Sequence, residues 1–288
     1  MAEYILSAFA DEAAADLAGQ MDACERNGMR HIEMRGVNGK SIADHTPQEC
    51  REIRQRLDER GFALSALGSP YGKIGIREDF APHLEKFKRG LELCHILGTS
   101  RIRMFSFYIP EGDDPAAHRS QVMERLGIMA QEARKEGLIC CHENEKGIYG
   151  DTAARCEDIA LTLGGDMPLV FDPANFVQCG QDVRDAYDLL APYVLYLHIK
   201  DALRGDGQVV PAGEGDGDLP YLLSRFLQKP GGHILTLEPH LMAFPGFDEL
   251  EREKADKKQG GRRETDEAFD RACQALARLL QGHTPARG

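Results

Sequence analysis

The chain has 288 residues, 42% of them hydrophobic and 28% charged, and its 47 acidic against 35 basic side chains give a formal net charge of -12. Such a composition can bury a sizeable core, which excludes intrinsic disorder, and the length suits one α/β domain spanning residues 1–288. The acidic balance argues against a nucleic-acid partner, whose phosphates it repels overall, and says nothing against a neutral sugar.

Eight short apolar runs, each followed by an amphipathic stretch, order the chain. The first, residues 4–9, follows a start that carries Glu3, Asp11 and Glu12 and no basic cluster, so no secretory leader is expected. Residues 13–27 place Leu17, Met21 and Cys24 at helical spacing, with Gly28 positioned to end the helix. The second run is 31–35. After it, Thr46, Pro47 and Glu49 read as a capped helix start with proline in its first turn, closed by Gly61. Runs 62–67, 100–105, 138–143, 168–172, 194–199 and 233–238 come next, separated by helices at 80–97, 115–136, 152–163, 183–190 and 219–227, and a last helix at 267–280 closes the chain.

Runs starting 26 to 39 residues apart have the length of a strand-plus-helix unit. Eight such units imply a closed parallel (β/α)8 TIM barrel. The alternative is an open doubly wound sheet, and the lack of GxGxxG after the first run weakens a dinucleotide site. The charged stretch 249–265, with Gly260-Gly261, is read as a solvated loop, or functionally as a lid or subunit contact. No run of 18 apolar residues offers a membrane span. Eight cysteines without CxxC spacing suit reduced, mostly buried thiols in a cytoplasmic protein.

In a TIM barrel, side chains that close the strands at their C-terminal ends build the active site. The last four runs end at or carry Glu143, Asp172, His198 and Glu238. Three converging carboxylates repel one another unless a cation neutralises them. With one imidazole they suit a single divalent ion: Mn²⁺ is favoured by the oxygen majority, with Mg²⁺, Co²⁺ and Zn²⁺ as the other candidates.

The segments His-Glu-Asn-Glu (142–145), Phe-Asp-Pro-Ala-Asn (171–175), His-Ile-Lys-Asp (198–201) and Leu-Glu-Pro (237–239) resemble the xylose isomerase-like barrel superfamily of sugar isomerases, ketose 3-epimerases, inosose and 3-dehydroshikimate dehydratases and endonuclease IV relatives. The resemblance runs in strand order along nearly the whole chain. It implies that Glu143, Asp172, His198 and Glu238 bind the metal and that Glu143 and Glu238 also act as the acid/base pair. It matches Arg204 to a substrate-binding arginine, and residues 213–216 to the loop before the seventh helix. Departures occur at Asn175 and Glu145, where relatives often have histidine, and at Tyr149, where some epimerases have glutamate.

Other candidates for substrate contact are Asn175 and Glu145, and also Arg103, Glu33 and Lys73, for which ion pairing or a plain turn role is the alternative. His142 and His240 flank the glutamates and are candidates for contact with substrate or with the ligands. Lys200 is expected on the side of its strand away from His198, as a loop-fixing salt bridge or a catalytic group. His31, His83, His95 and His118 show no partner pattern, and Cys140 and Cys141 read as barrel packing.

The leading expectation is a metal-dependent sugar or keto-polyol isomerase or epimerase working through an enediolate. A lyase sharing that proton abstraction is the runner-up. An endonuclease IV-type phosphodiesterase lacks the extra strand-end histidines, and a sugar-binding barrel without catalysis would not require all four ligands. A homo-oligomer is compatible with all of these.

Overall fold

The computed structural model describes residues 3–242, 261–281 and 284–285. Eight parallel strands form the barrel: β1 (Glu3–Ala8), β2 (His31–Met34), β3 (Ala63–Gly68), β4 (Arg101–Met104), β5 (Ile139–Glu143), β6 (Leu169–Phe171), β7 (Val194–Ile199) and β8 (His233–Leu237). Each pairs with its neighbour in sequence, and β8 pairs with β1, Tyr4 opposite His233 and Ala8 opposite Leu237, which closes the sheet. Thr284–Pro285 adds a short pairing against Glu3 and Tyr4 at the lower rim.

Around it lie α1 (Leu17–Arg26), α2 (Pro47–Glu59), α3 (Phe80–Leu97), α4 (Pro115–Lys135), α5 (Ala153–Leu163), α6 (Pro173–Gln178), α7 (Val183–Leu190), α8 (Leu219–Phe226) and α9 (Arg262–Leu279). Their starts derive from capping chemistry. Thr46 and Glu49 form a reciprocal box at α2, each side chain accepting from the other's amide at 3.2 and 2.7 Å. Asp16, Asp79, Asp114 and Asp182 accept from amides in the first turns of α1, α3, α4 and α7.

The differences from expectation are local. Helix α1 begins at Leu17 rather than residue 13, because Ala10–Glu12 takes a 3-10 turn and Asp16 caps the α-helix proper. Helix α6 was not expected; Asp172 caps it, with Pro173 in its first turn. Helix α9 begins five residues earlier than its apolar period suggested. Most of the charged stretch 249–265 lies outside the described residues. No helix among the described residues is long and apolar enough to cross a membrane.

The barrel interior is layered. Ala66, Cys141, Val170, Tyr196 and Ile234 form an apolar plug. Beside it Ser7 and Ser65 share a hydrogen bond at 2.7 Å. Toward the C-terminal ends of the strands the filling becomes charged. On the outer wall, α3 lies so close to the loop after β3 that a Cβ on Gly90 would stand 2.4 Å from the Tyr71 hydroxyl. Gly90→Ala is therefore expected to destabilise the fold by about 1–3 kcal/mol through overpacking, measurable by urea unfolding at unchanged m-value.

Candidate metal centre

Glu143 closes β5, Asp172 directly succeeds β6, His198 lies on β7 and Glu238 directly succeeds β8, so four consecutive strands deliver four side chains to one point. All four are buried, and one ligand atom from each lies within 4.8 Å of the others. His198 Nδ1 is 3.0 Å from Glu143 Oε1 and 3.1 Å from Glu238 Oε2. Asp172 divides its carboxylate: Oδ1 accepts from the Asn175 amide at 2.9 Å, while Oδ2 has no hydrogen bond. A fully buried carboxylate oxygen without a hydrogen bond is costly, and the Lys200 ammonium 3.7 Å away offsets its charge without bonding it, which leaves a place for a cation.

The electrostatics agree. Burial pushes the Asp172 carboxyl up to about 7, with Glu238 and Glu143 adding to it against Lys200 and His198. Burial alone would also raise Glu238, but Lys200, His240 and His198 reverse this and hold it well below the usual carboxylate range. Burial opposes charge on His198, yet Glu143 and Glu33 outweigh it and raise its pKa. The carboxylates that favour a proton on this imidazole favour equally a cation at its Nδ1. The donor set therefore fits one divalent ion.

Below the ligands lies a second layer. Glu33, fully buried, sets Oε2 3.3 Å from His198 Nε2 and accepts from the Tyr196 hydroxyl at 3.0 Å. A carboxylate behind a ligand imidazole fixes the ring and its tautomer. Glu33 thus lies under the centre in an ion-paired setting, the alternative to the substrate contact that its position on β2 also allowed. Arg103 lies between Glu33 (3.7 Å) and Glu143 (3.1 Å), and its Nη1 donates to Ser69 O at 2.9 Å. An arginine in a barrel interior persists because it is paired in this way. Asn175 braces the rim, donating to Asn144 O at 2.9 Å and to Glu143 Oε1 at 3.5 Å and accepting from Lys200 at 3.2 Å.

The remaining candidates divide. Lys73 and Glu145 form an ion pair at 3.0 Å on the cavity wall. His240, at φ 45°, folds back so that Nδ1 lies 3.3 Å from Glu238 Oε1. Arg204 lines the mouth with its side chain half exposed, 4.0 Å from Asp182. His142 turns away from the centre to Ser106 Oγ at 2.9 Å. Tyr149 also leaves the site, donating to Asp158 at 2.7 Å.

Two residues were misread or missed. Lys200 lies on the same side as His198, since residues two apart on a strand share a face. Its buried ammonium is 3.6 Å from Glu238 and 3.7 Å from Asp172. Asp201 makes no salt bridge with it; its carboxylate accepts from the amides of Ala202, Gly213, Gly215 and Gly217 at 2.8–3.0 Å. Asn144 was overlooked: its side-chain amide exchanges two 2.9 Å hydrogen bonds with the backbone of Asp172. The adjacent group Glu12, Glu238 and His240 also has metal-like spacing, but Arg35 stands in it, 3.2 Å from Glu12 and 3.4 Å from Glu238, and already supplies the positive charge.

A closed eight-stranded barrel with carboxylates and one histidine gathered at its strand ends defines a class of barrels with a candidate metal site. Within that class the chain belongs to the xylose isomerase-like TIM barrel family, which it matches over residues 21–259. Among solved structures it is similar to the IOLI protein with a bound zinc atom, at 17% identity and TM-score 0.72 over 99% of this chain and 100% of that one. It is also similar to the probable 3-DHS dehydratase AsbF of Bacillus anthracis, at 14% identity and TM-score 0.71 over 96% and 99%. A third is D-psicose 3-epimerase of Clostridium cellulolyticum with D-tagatose, at 13% identity and TM-score 0.70 over 99% and 100%. No curated protein matches the sequence.

Two outcomes are expected from Mn²⁺ titration calorimetry. Below about pH 7 a proton on Asp172 must leave before the ion binds, so apparent affinity falls as pH falls. Glu33→Gln, which weakens the support behind His198, lowers affinity about 10–100-fold at constant pH. A pH-independent affinity would contradict the first outcome, and an unchanged affinity in Glu33→Gln the second.

Proposed function

We propose that this protein is a divalent-metal-dependent isomerase or epimerase of a sugar or keto-polyol, acting by proton transfer at a carbon next to a carbonyl. The observation that carries the reading is that Glu143 and Glu238 reach the same imidazole nitrogen, at 3.0 and 3.1 Å, from strands three places apart in the barrel. Two buried carboxylates at one reacting centre are what removal and return of a proton require.

Held by Glu143, Asp172, His198 and Glu238, a divalent ion, Mn²⁺ before Mg²⁺, Co²⁺ or Zn²⁺, supplies Lewis-acid stabilisation of negative charge on the substrate's oxygens. The chain's own groups do the rest. Glu238 is kept ionised by Lys200, His240 and His198, so it enters as a proton acceptor. Arg103 and Asn175 hold Glu143 in place from two sides. Lys200 lines the cavity with Glu238 and offers N–H donors between Glu238 and the buried Asp172. The configuration of the substrate decides which glutamate removes the proton and which returns it. Arg204, Glu145, Lys73 and His240 line the cavity of about 1100 Å³ in which the substrate lies.

One observation favours a lyase as the second reading. The Lys200 ammonium stands within reach of the same centre and can give a proton to a departing hydroxyl. The probable 3-DHS dehydratase AsbF has the same fold.

Incubation with keto-sugars and inososes in D₂O, with and without Mn²⁺, tests both. An isomerase or epimerase incorporates solvent deuterium at the carbon next to the carbonyl, whereas a lyase loses water and forms an unsaturated product. Glu143→Gln and Glu238→Gln should each slow either reaction about 10²–10⁴-fold. Full turnover by both folded variants would leave the barrel a binding protein.

A further inference from the structure

We propose that the substrate is anionic, and that a carboxylate or phosphate on a carbon remote from the reacting pair seats in a side chamber next to the metal centre. The inference rests on the proposed isomerase or epimerase for the reacting end and on the chamber for the charged end. A second cavity, about 470 Å³, opens beside the main one, and the two share the wall formed by Arg35, Lys73, Arg103 and Phe105.

Charge separates the two spaces. Among the described residues, five acidic and six basic side chains line the main cavity, which is close to balance. The side chamber is lined by five basic groups, Arg35, Lys40, Lys73, Lys86 and Arg103, against Asp11 and Asp44; Lys40 is turned to Glu49 at 2.7 Å, which leaves Lys73, Lys86 and Arg103 as the main positive groups. Lys86 forms no ion pair among the described residues, and stands exposed on α3. The His83 ring is used up structurally, its Nε2 accepting from the Gly72 amide at 2.8 Å.

The shared wall is an alternation of cations and rings. The Arg35 guanidinium carbon lies 4.4 Å from the Phe9 ring centre. That of Arg103 lies 5.2 Å from Phe9 and 4.7 Å from Phe105, and Lys73 Nζ lies 4.4 Å from Phe105. Aromatic faces hold cations in place without adding formal negative charge. Of the carboxylates facing these cations, Glu238 at Arg35, Glu143 at Arg103 and Glu145 at Lys73 line the main cavity, while Asp11 and Glu12 hold Arg35 more closely, at 3.0 and 3.2 Å, and Glu33 lies 3.7 Å from Arg103. A divalent ion held by Glu143 and Glu238 would draw on part of the charge that offsets Arg103 and, to a smaller extent, Arg35, which keeps Asp11 and Glu12. Metal loading therefore makes the side chamber more positive, and an anionic group placed there restores the balance. A volume of this order, with liquid water occupying about 30 Å³ per molecule, holds a carboxylate or phosphate with its hydration.

The test is calorimetric and needs no turnover. Mn²⁺-loaded protein is titrated with fructose, fructuronate and fructose 6-phosphate, probes matched except for charge at the end remote from the ketone. The two anions should bind roughly tenfold or more tighter than fructose, as expected of charge-assisted hydrogen bonds. Whichever binds tighter identifies carboxylate or phosphate as the preferred group. Lys86→Glu, a surface change that leaves the core intact, and Lys73→Gln should both shrink that advantage. Equal affinity for the three probes, or no binding of either anion, overturns the proposal. So does an advantage that survives both variants, since the anion would then be meeting the metal. Mn²⁺ titration without any sugar reports separately on the metal centre, so failure of that reading is seen apart from failure of this one.

Discussion

Three carboxylates and an imidazole buried within 4.8 Å of one another impose a condition on everything around them. Negative charge at that density, away from water, must be matched by positive charge at short range. The barrel meets the condition from several directions. Arg103 rises from β4 beside Glu143, Lys200 stands just past β7 between Asp172 and Glu238, and Arg35 stands just past β2 against Glu238. Each cation also touches a group whose first task is structural: Glu33 for Arg103, Asn175 for Lys200, Asp11 for Arg35. The candidate ligands are thus embedded in an ionic lattice, and displacement of one member would expose another to an unpaired neighbour.

Rigidity at the strand ends supports this lattice. Asn144 completes by side chain a pairing that the β5 and β6 backbones no longer make, and so carries sheet-like order one step beyond the sheet. Asp172 is fixed by its duty as the cap of α6, which leaves its second oxygen without a hydrogen bond, beside the other candidate ligands. One residue serves helix start and candidate ligand together, because the two carboxylate oxygens point in different directions.

Much of this was legible in the sequence. Strand and helix succession is an apolar rhythm, and the apolar runs match their strands to within one residue at each end. At 168–172 the strand stops short of the run because Pro173 draws Asp172 into a helix cap. The four candidate ligands could be picked out because the barrel rule says where to look, at one end of each strand. What escaped were interactions between strands distant in sequence. Nothing local to Glu33 announces that it lies beneath His198, 165 residues away. Lys200 is different in kind: the two-residue period of a strand places it beside His198, so the signal was present and was misapplied. His142 obeyed the same period and faces away from the centre.

The carboxylate of Asp201, with amides from Ala202, Gly213, Gly215 and Gly217 gathered on it, has a consequence for how this rim can change over time. Both ends of the excursion between residues 202 and 213 are tied to one anchor directly after Lys200. A Cβ at Gly215 or Gly217 would collide with that anchor, at 2.4 and 2.7 Å, so these glycines are spatially committed. The segment carrying Arg204 lies between the tied points and is held by few side-chain bonds, the Arg204 amide donating to Asp216 at 2.7 Å and Gln178 to Gly207 O at 2.9 Å, while the Arg204 side chain stays half exposed. Chain can be inserted or exchanged there while the lysine and the candidate ligands stay in register, which makes this excursion a natural place for the barrel to acquire a new preference without rebuilding its chemistry.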